Sequence, residues 1–350
     1  MRAAMYYGRR DLRLEDVPEP SPAPGEVKLR VLYNGICGSD LHEYYDGPIT
    51  TRPEVPHPLT GVINPVILGH ELCGRVVELG RGVEDLALGD LVAVEPVETC
   101  GRCLYCTSGR YNHCGLLAFH GYNRRSGGLA EFTVVRRAMA HRLPRGMTPQ
   151  QGALIEPMAI AWRTADRCAL EAGQTAVIHG AGPIGIGVYF TLRRRGVRCW
   201  VADPSPARRA VLAAIGVEGV LDPSAGDIVS AIKDLTGGRG ADASIDAAGV
   251  PAAFQAALHG TAVDGNVVVV AIHTRPLEIE PMDILMSEAR ITGVALSCNA
   301  FPPVIAEMAA GAYPEKGWVE TIPFAHLIDD GFERLHRQQG TKILVSLTER

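Results

Sequence analysis

The segment Gly180-Ala181-Gly182-Pro183-Ile184-Gly185 constrains the fold of this chain more than any other six residues. It follows a short run of buried type, Thr175-Ala176-Val177-Ile178-His179, and opens an apolar stretch of helical character. A strand that turns on glycines into a helix is the first unit of a parallel sheet covered by helices. Gly180 permits the tight turn, Gly182 lets backbone come close to a ligand, and Gly185 lets the helix pack on the strand. The start of the helix that this segment opens carries partial positive charge, and with Pro183 and Ile184 it suits a pyrophosphate. Asp203 ends the next strand, 21 residues after Gly182. A carboxylate there accepts hydrogen bonds from the adenosine ribose and repels a 2'-phosphate, so NAD is expected over NADP. Arg208 and Arg209 follow closely and are able to meet a phosphate, which tempers that preference.

From His179 onward, strand-like segments alternate with helix-like ones: Val197 to Ala202, Val217 to Leu221, Ala243 to Asp246, Val267 to Ile272 and Ile291 to Leu296. This is the pattern of an α/β, doubly wound Rossmann sheet. Residues 1 to 157 read differently. Val27 to Leu32, Gly74 to Gly80 and Leu91 to Val94 are short strands separated by Pro- and Gly-containing loops, an irregular β-rich domain. A last strand runs from Lys342 to Leu347. The 350 residues therefore divide into a β-rich domain at 1–157, completed by about 297–350, and a nucleotide domain at 158–296. Arg193, Arg194 and Arg195 fall near the end of the first nucleotide-domain helix and read as a solvated face.

Cys100, Cys103, Cys106 and Cys114 crowd four of the nine cysteines into fifteen residues. Two-residue spacers turn successive thiolates onto one ion, and the longer spacer brings the fourth around the tetrahedron. Four thiolates leave no open position, so the expected ion is a structural zinc. Cys73, Cys168, Cys199 and Cys298 sit in apolar or helical context and read as core thiols, and His113 is surplus to a filled site. A zinc ribbon that binds nucleic acid would also use four cysteines. The net charge of -5 argues against that partner. No apolar run reaches membrane-spanning length, and Met1-Arg2-Ala3-Ala4 leads at once into Tyr-rich and charged sequence, so no membrane partner is expected and the location reads as cytoplasmic.

Three further fragments carry ligand-type residues: Cys37-Gly38-Ser39-Asp40-Leu41-His42, Gly69-His70-Glu71 and Ile155-Glu156-Pro157. Spacing alone does not join them. With the four-Cys lobe and the Gly motif they resemble the zinc-containing medium-chain dehydrogenases over essentially the whole chain, closest to the polyol, threonine and butanediol branch. The resemblance implies a GroES-like catalytic domain. It also implies a second, catalytic zinc on Cys37 and His70 with Glu71 or Glu156 as the carboxylate, making two zinc ions per chain. Ser39 and His42 stand where the family places a proton relay. Glu131 resembles a family position without a role that the residues reveal. Ala271-Ile272-His273 and Ala295-Leu296-Ser297, at the ends of two late strands, would carry the nicotinamide carboxamide. The implied activity is zinc-dependent hydride transfer between NAD and a small alcohol or ketone bound in a cleft between domains. Gly47-Pro48-Ile49 and Pro56-His57-Pro58-Leu59-Thr60-Gly61 are similar to butanediol-oxidising members, which points to a vicinal diol with acetoin as its ketone. Sorbitol-type and L-threonine dehydrogenases share the same machinery and are the rival reading. The family assembles as homodimers and homotetramers through edge strands of the nucleotide domain, expected here around Asn266 to Ile272 and Ile291 to Leu296.

Overall fold

The computed structural model describes residues 1–348. The chain forms two compact units. One comprises Met1–Glu156, Ser297–Ala310 and Val319 onward; the other comprises Pro157–Leu296 and Gly311–Trp318.

The first unit is built on a long strand, Glu26–Gly35, which pairs antiparallel with Glu71–Leu79, with Phe132–Arg136 and with the C-terminal strand Lys342–Ser346. Leu91–Val94, Ala140–Arg142 and Val319–Pro323 extend the same sheet. A smaller sheet joins Arg2–Gly8, Asp11–Asp16 and Val66–Ile67. Leu29, Val31, Leu72, Val76, Val92, Leu129 and Leu344 fill the interior. The pairing has a functional consequence. Gly35 lies opposite both Glu71 and Leu344, so two strands of the first eighty residues and the C-terminal strand converge at one point. Cys37 starts the helix Gly38–Tyr45 two residues beyond it.

The second unit holds six parallel strands in the order Val220–Leu221, Arg198–Ala202, Thr175–His179, Ala241–Asp246, Thr261–Val269, Arg290–Gly293. Numbered along the chain, that order is 3-2-1-4-5-6, the doubly wound arrangement of dinucleotide-binding sheets. The central strand Thr175–His179 is buried throughout, as a strand covered on both faces must be. Helix Pro183–Arg194 begins with proline at its first position, where a missing N–H costs nothing. Gly180 adopts φ +113°, and a Cβ there would press on the backbone of Ala247 and Ala248; a Cβ on Gly185 would collide with the Gly180 carbonyl. These two glycines are dictated by geometry, as the motif implied.

Strand ends differ from the sequence reading. The strand expected over Val267 to Ile272 stops at Val269, and the one expected to reach Leu296 stops at Gly293. The N–H groups of Val270 and Ala271 both donate to the Asp246 carbonyl, which curls the chain off the sheet early. Ala271-Ile272-His273 and Ala295-Leu296-Ser297 therefore lie in loops beyond the strand ends rather than within them. Of the two strands expected at the edge, Arg290–Gly293 is one and the Asn266 strand sits inside the sheet. The helix Pro149–Arg167 ends before Ala172 and carries Pro157 in its interior, next to Glu156.

Candidate active site and metal centres

Cys100, Cys103, Cys106 and Cys114 come together as the spacing predicts. Their sulfurs lie 3.5 Å apart for the pairs Cys100–Cys114 and Cys103–Cys106, and 3.9 Å apart for Cys100–Cys106. A tetrahedron with Zn–S bonds of about 2.3 Å has edges of about 3.8 Å, so the cage fits zinc, whereas a disulfide needs sulfurs about 2 Å apart. His113 is exposed beside the lobe, hydrogen-bonding distance from Asn112, and adds no ligand. Cys73, Cys168, Cys199 and Cys298 are buried.

Cys37, His70 and Glu71 form the second group, with one potential ligand atom from each within 4.8 Å of the others. Asp40, fully buried, organises it. One Asp40 oxygen accepts from the Cys37 N–H at 3.0 Å, and the other faces His70 Nδ1 at 3.5 Å. A carboxylate on Nδ1 orients the imidazole and leaves Nε2 for an ion. Burial opposes the Asp40 charge, but His70, the Cys37 N–H and Tyr122 outweigh it and hold its carboxyl below the usual range. Cys, His and carboxylate are a zinc donor set, and two negative charges on it balance the ion.

Glu156 is buried in the same neighbourhood, outside the three-residue group. Burial, countered in part by His70 and reinforced by Glu71, pushes its carboxyl up to about 7. Glu71 is held by Lys342, which is 1% exposed and also donates to the Ile36 carbonyl at 3.0 Å. A Cβ on Gly35 would press on the ends of both side chains, so glycine leaves room for the pair where the three strands meet. Lys342 escapes a sequence reading, because it opens an apolar strand and resembles an ordinary strand terminus. A charged residue at the head of a fully buried run is the only signal.

Ser39 Oγ lies 3.5 Å from His70 Nε2 and 2.8 Å from the Tyr122 hydroxyl. His42 stands apart: it is one-third exposed, paired with Asp46 at 3.4 Å, and makes no direct bond to Ser39 among the described residues. The sequence reading also passed over Tyr122 and Glu43. Buried Glu43 accepts from the N–H groups of Ile49, Thr50 and Thr51 and from the Thr51 hydroxyl, and so organises the loop that follows it. Further along that loop His57 turns inward, its Nε2 3.1 Å from the Leu117 carbonyl, and Thr60 donates to the Asn123 carbonyl. Glu131 ties the N-terminus, accepting from the Arg2 N–H at 2.8 Å.

In the second unit Asp203 is buried at the glycine turn. Its oxygens accept from the N–H groups of Ala181 and Ser205, both at 2.8 Å, and Arg208 lies 3.5 Å away. The second lone pair of each oxygen is available for a ribose. Pro183 and Ile184 are half-buried at the start of their helix. His273 Nε2 lies 2.6 Å from buried Asp246, whose other oxygen accepts from Ala248 and Gly249. Ile272 is exposed, Ala271 is half-buried, and Ser297 is buried in the first unit. Arg193 and Arg195 pair loosely with Glu218 and Asp166 on the surface.

A 3-2-1-4-5-6 nucleotide sheet and two metal-ready groups in one chain define a class, the zinc-dependent dehydrogenases that use a nicotinamide dinucleotide. The comparisons agree. Residues 23–145 match the alcohol dehydrogenase GroES-like domain, and residues 183–310 match the zinc-binding dehydrogenase domain. The chain belongs to the zinc-containing medium-chain alcohol dehydrogenase family. It is 37% identical to (R,R)-butanediol dehydrogenase of Bacillus subtilis, over 99% of both chains. The crystal structure of the 2R,3R-butanediol dehydrogenase from that organism superposes with a TM-score of 0.92 at 36% identity, covering 99% of each. Sorbitol dehydrogenase of the same organism is 32% identical over 95% of this chain and 93% of its own. Solved relatives hold NADH or NADP.

Proposed function

We propose that the enzyme interconverts a small vicinal diol of the 2,3-butanediol type and its hydroxyketone, acetoin, with NAD. The observation that carries the catalytic part is the grouping of Cys37, His70 and Glu71 around one point, with Asp40 behind His70. The substrate rests on the 37% identity to a butanediol dehydrogenase along the whole chain. Cys37 and His70 would hold the catalytic zinc together with Glu71 or Glu156, and the four thiolates of the lobe would hold the structural one. A zinc ion there supplies Lewis-acid chemistry to the substrate oxygen, and nicotinamide is the hydride acceptor. Asp40 keeps His70 oriented. Ser39 faces the reacting hydroxyl. Glu156, buried beside the group, is placed to meet the neighbouring hydroxyl of a diol.

Gly180, Gly182, Pro183, Ile184 and Gly185 receive the pyrophosphate, Asp203 with Arg208 nearby receives the ribose, and the loops at Ala271-Ile272-His273 and Ala295-Leu296-Ser297 receive the carboxamide. The functional division follows as 1–157 with 297–350 for catalysis and 158–296 for the nucleotide. Four cysteines clustered as thiolate ligands suit a reducing compartment, so the cytoplasm is the proposed location. No helix among the described residues is long and apolar enough to cross a membrane. A homodimer or homotetramer is the proposed assembly.

Initial rates of purified enzyme on a panel of alcohols, with NAD and NADP, test this reading. A site that bonds the second hydroxyl rejects an analogue lacking it by up to about 10⁴ when the partner is buried. So 2,3-butanediol is expected to show far higher kcat/KM than 2-butanol, sorbitol or L-threonine, with NAD preferred. Asp203→Gly should narrow the gap to NADP. If sorbitol or threonine led the panel, the diol would be withdrawn and the family would stand.

A further inference from the structure

The chain leaves the second unit at Leu296 and enters the first at Ser297, inside the loop read above as a carboxamide contact. The Val294 N–H still donates to the Val269 carbonyl at 2.9 Å. Beyond it Leu296 and Asn299 both take left-handed backbone, with φ of +61° and +62°. Asparagine enters that region readily, but leucine stays there only where its surroundings fix it. The fixing bonds come from the four-Cys lobe. Asn299 Nδ2 donates to the Gly109 carbonyl at 2.8 Å, and the Asn299 N–H donates to the Tyr111 hydroxyl at 2.7 Å. The Cys298 thiol donates to the same Gly109 carbonyl at 3.3 Å. Gly109 and Tyr111 lie between Cys106 and Cys114 and are bonded to them: the Gly109 N–H donates to the Cys106 carbonyl, and the Cys114 N–H donates to the Tyr111 carbonyl. The Tyr111 hydroxyl gives its own proton to buried Glu95, at 2.6 Å, and so is an acceptor for Asn299. The Ala300 N–H closes the turn on the Ser297 carbonyl at 2.8 Å.

We infer that Asn299 is a positioning residue: it ties the loop Ala295-Leu296-Ser297 to the four-Cys lobe, and through that tie the lobe holds the loop in the shape that receives the nicotinamide carboxamide. The lobe thus serves cofactor binding as well as its own fold. Cutting the tie frees Leu296 to return to ordinary backbone. The nicotinamide end of the cofactor then loses its contact, while the turn at Gly180 that receives the pyrophosphate is untouched. The inference rests on the proposed reading of 295–297 as the carboxamide contact.

Asn299→Gly is the test, because glycine keeps the left-handed backbone and the N–H bond to Tyr111 and removes the side-chain bond to Gly109. Asn299→Asp controls for the added freedom of glycine, since a carboxylate also tolerates that backbone but has no proton for a carbonyl. The measurements are dissociation constants for NADH and for ADP-ribose, which lacks the nicotinamide, and amide exchange over 295–299. Both variants should weaken NADH by about fivefold, the worth of one neutral hydrogen bond, and speed exchange in the loop, with ADP-ribose bound as in wild type. Stripping the lobe of its ion, after the open group has lost its own, should weaken NADH in wild type by at least that factor and again spare ADP-ribose. The underlying reading has its own check in wild type: NADH should slow exchange at 295–297 and ADP-ribose should not. Equal slowing by both would remove the carboxamide contact and the inference with it. If NADH alone slows the loop, then wild-type NADH affinity in the variants, an equal loss for both ligands, or an affinity indifferent to the lobe's ion would each overturn the tie.

Discussion

Lys342 and Glu71 show how one pair can be both structural and chemical. Both side chains are buried, and a buried charge without a partner is costly in a way that an exposed one is not. In metal-free protein Lys342→Met should lower the free energy of unfolding by about 3–5 kcal/mol, since it strands the Glu71 carboxylate. Adding Glu71→Gln should recover most of that loss. Denaturant titration of the single and double variants checks it, and a single variant as stable as wild type would sink the account. At this scale the sequence was informative for residues whose type is rare in loops and whose motif is short. The four lobe cysteines are of that kind, as are Gly180 and Gly185, whereas Cys37 and His70 were joined only through the family resemblance. It was silent for residues whose role depends on a distant partner. Lys342 meets Glu71 across 271 positions and Tyr122 meets Ser39 across 83, and no local pattern marks either contact. The family resemblance left Glu71 and Glu156 as alternatives for the metal carboxylate. The structure adds that Glu71 joins the three-residue group while Glu156 lies beside it.

Elements were legible where the chain punctuates itself and illegible where tertiary bonds decide. The glycine turn marks the start of the first nucleotide-domain helix, which opens at Pro183 within the segment the sequence pointed to. The strand after Thr261 ends three residues before the apolar run does, because the Asp246 carbonyl captures two N–H groups that the sheet would otherwise have used. The four-Cys lobe is the element whose stability depends most on its ligand. Its short helix Leu104–Thr107 contributes no buried residue, and Leu104 is 74% exposed. Such a segment cannot hold its shape by apolar burial, so the metal must supply the folding energy. Stepwise chelation should therefore release zinc in two phases. The first, from the open group, abolishes activity while amide exchange in residues 99–117 stays slow. The second speeds exchange in that segment and spares the sheets. Activity that outlasts the first phase would contradict the catalytic assignment, and a lobe that stays protected after the second would contradict the structural one.

For the whole molecule, the sheet of the second unit ends on a strand that the chain leaves uncovered. Arg290–Gly293 pairs on one side with Thr261–Val269, and no strand among the described residues pairs with its other side. A row of open N–H and C=O groups invites another strand, and monomeric proteins blunt such rows with charge, proline or a covering element. Here Arg290 is the one charge on the strand, while Ile291 is 40% exposed. The helix Pro281–Ser287 just before it turns Ile284 inward onto Phe254 and Leu258 and leaves Leu285 and Met286 out, 66% and 70% exposed. Apolar side chains beside an open edge describe an interface more readily than a solvated surface. A second copy of the same edge, related by a two-fold axis, would pair antiparallel and bring each copy's apolar residues against the other's. Light scattering on the eluting protein should accordingly give a dimer or a multiple of it. Replacing Leu285, Met286 and Ile291 by lysine places like charges face to face across the axis and should yield a monomer with unchanged far-ultraviolet circular dichroism. Wild-type protein that runs as a monomer at every concentration tested would show that the edge is tolerated bare, and the pairing would have to be abandoned.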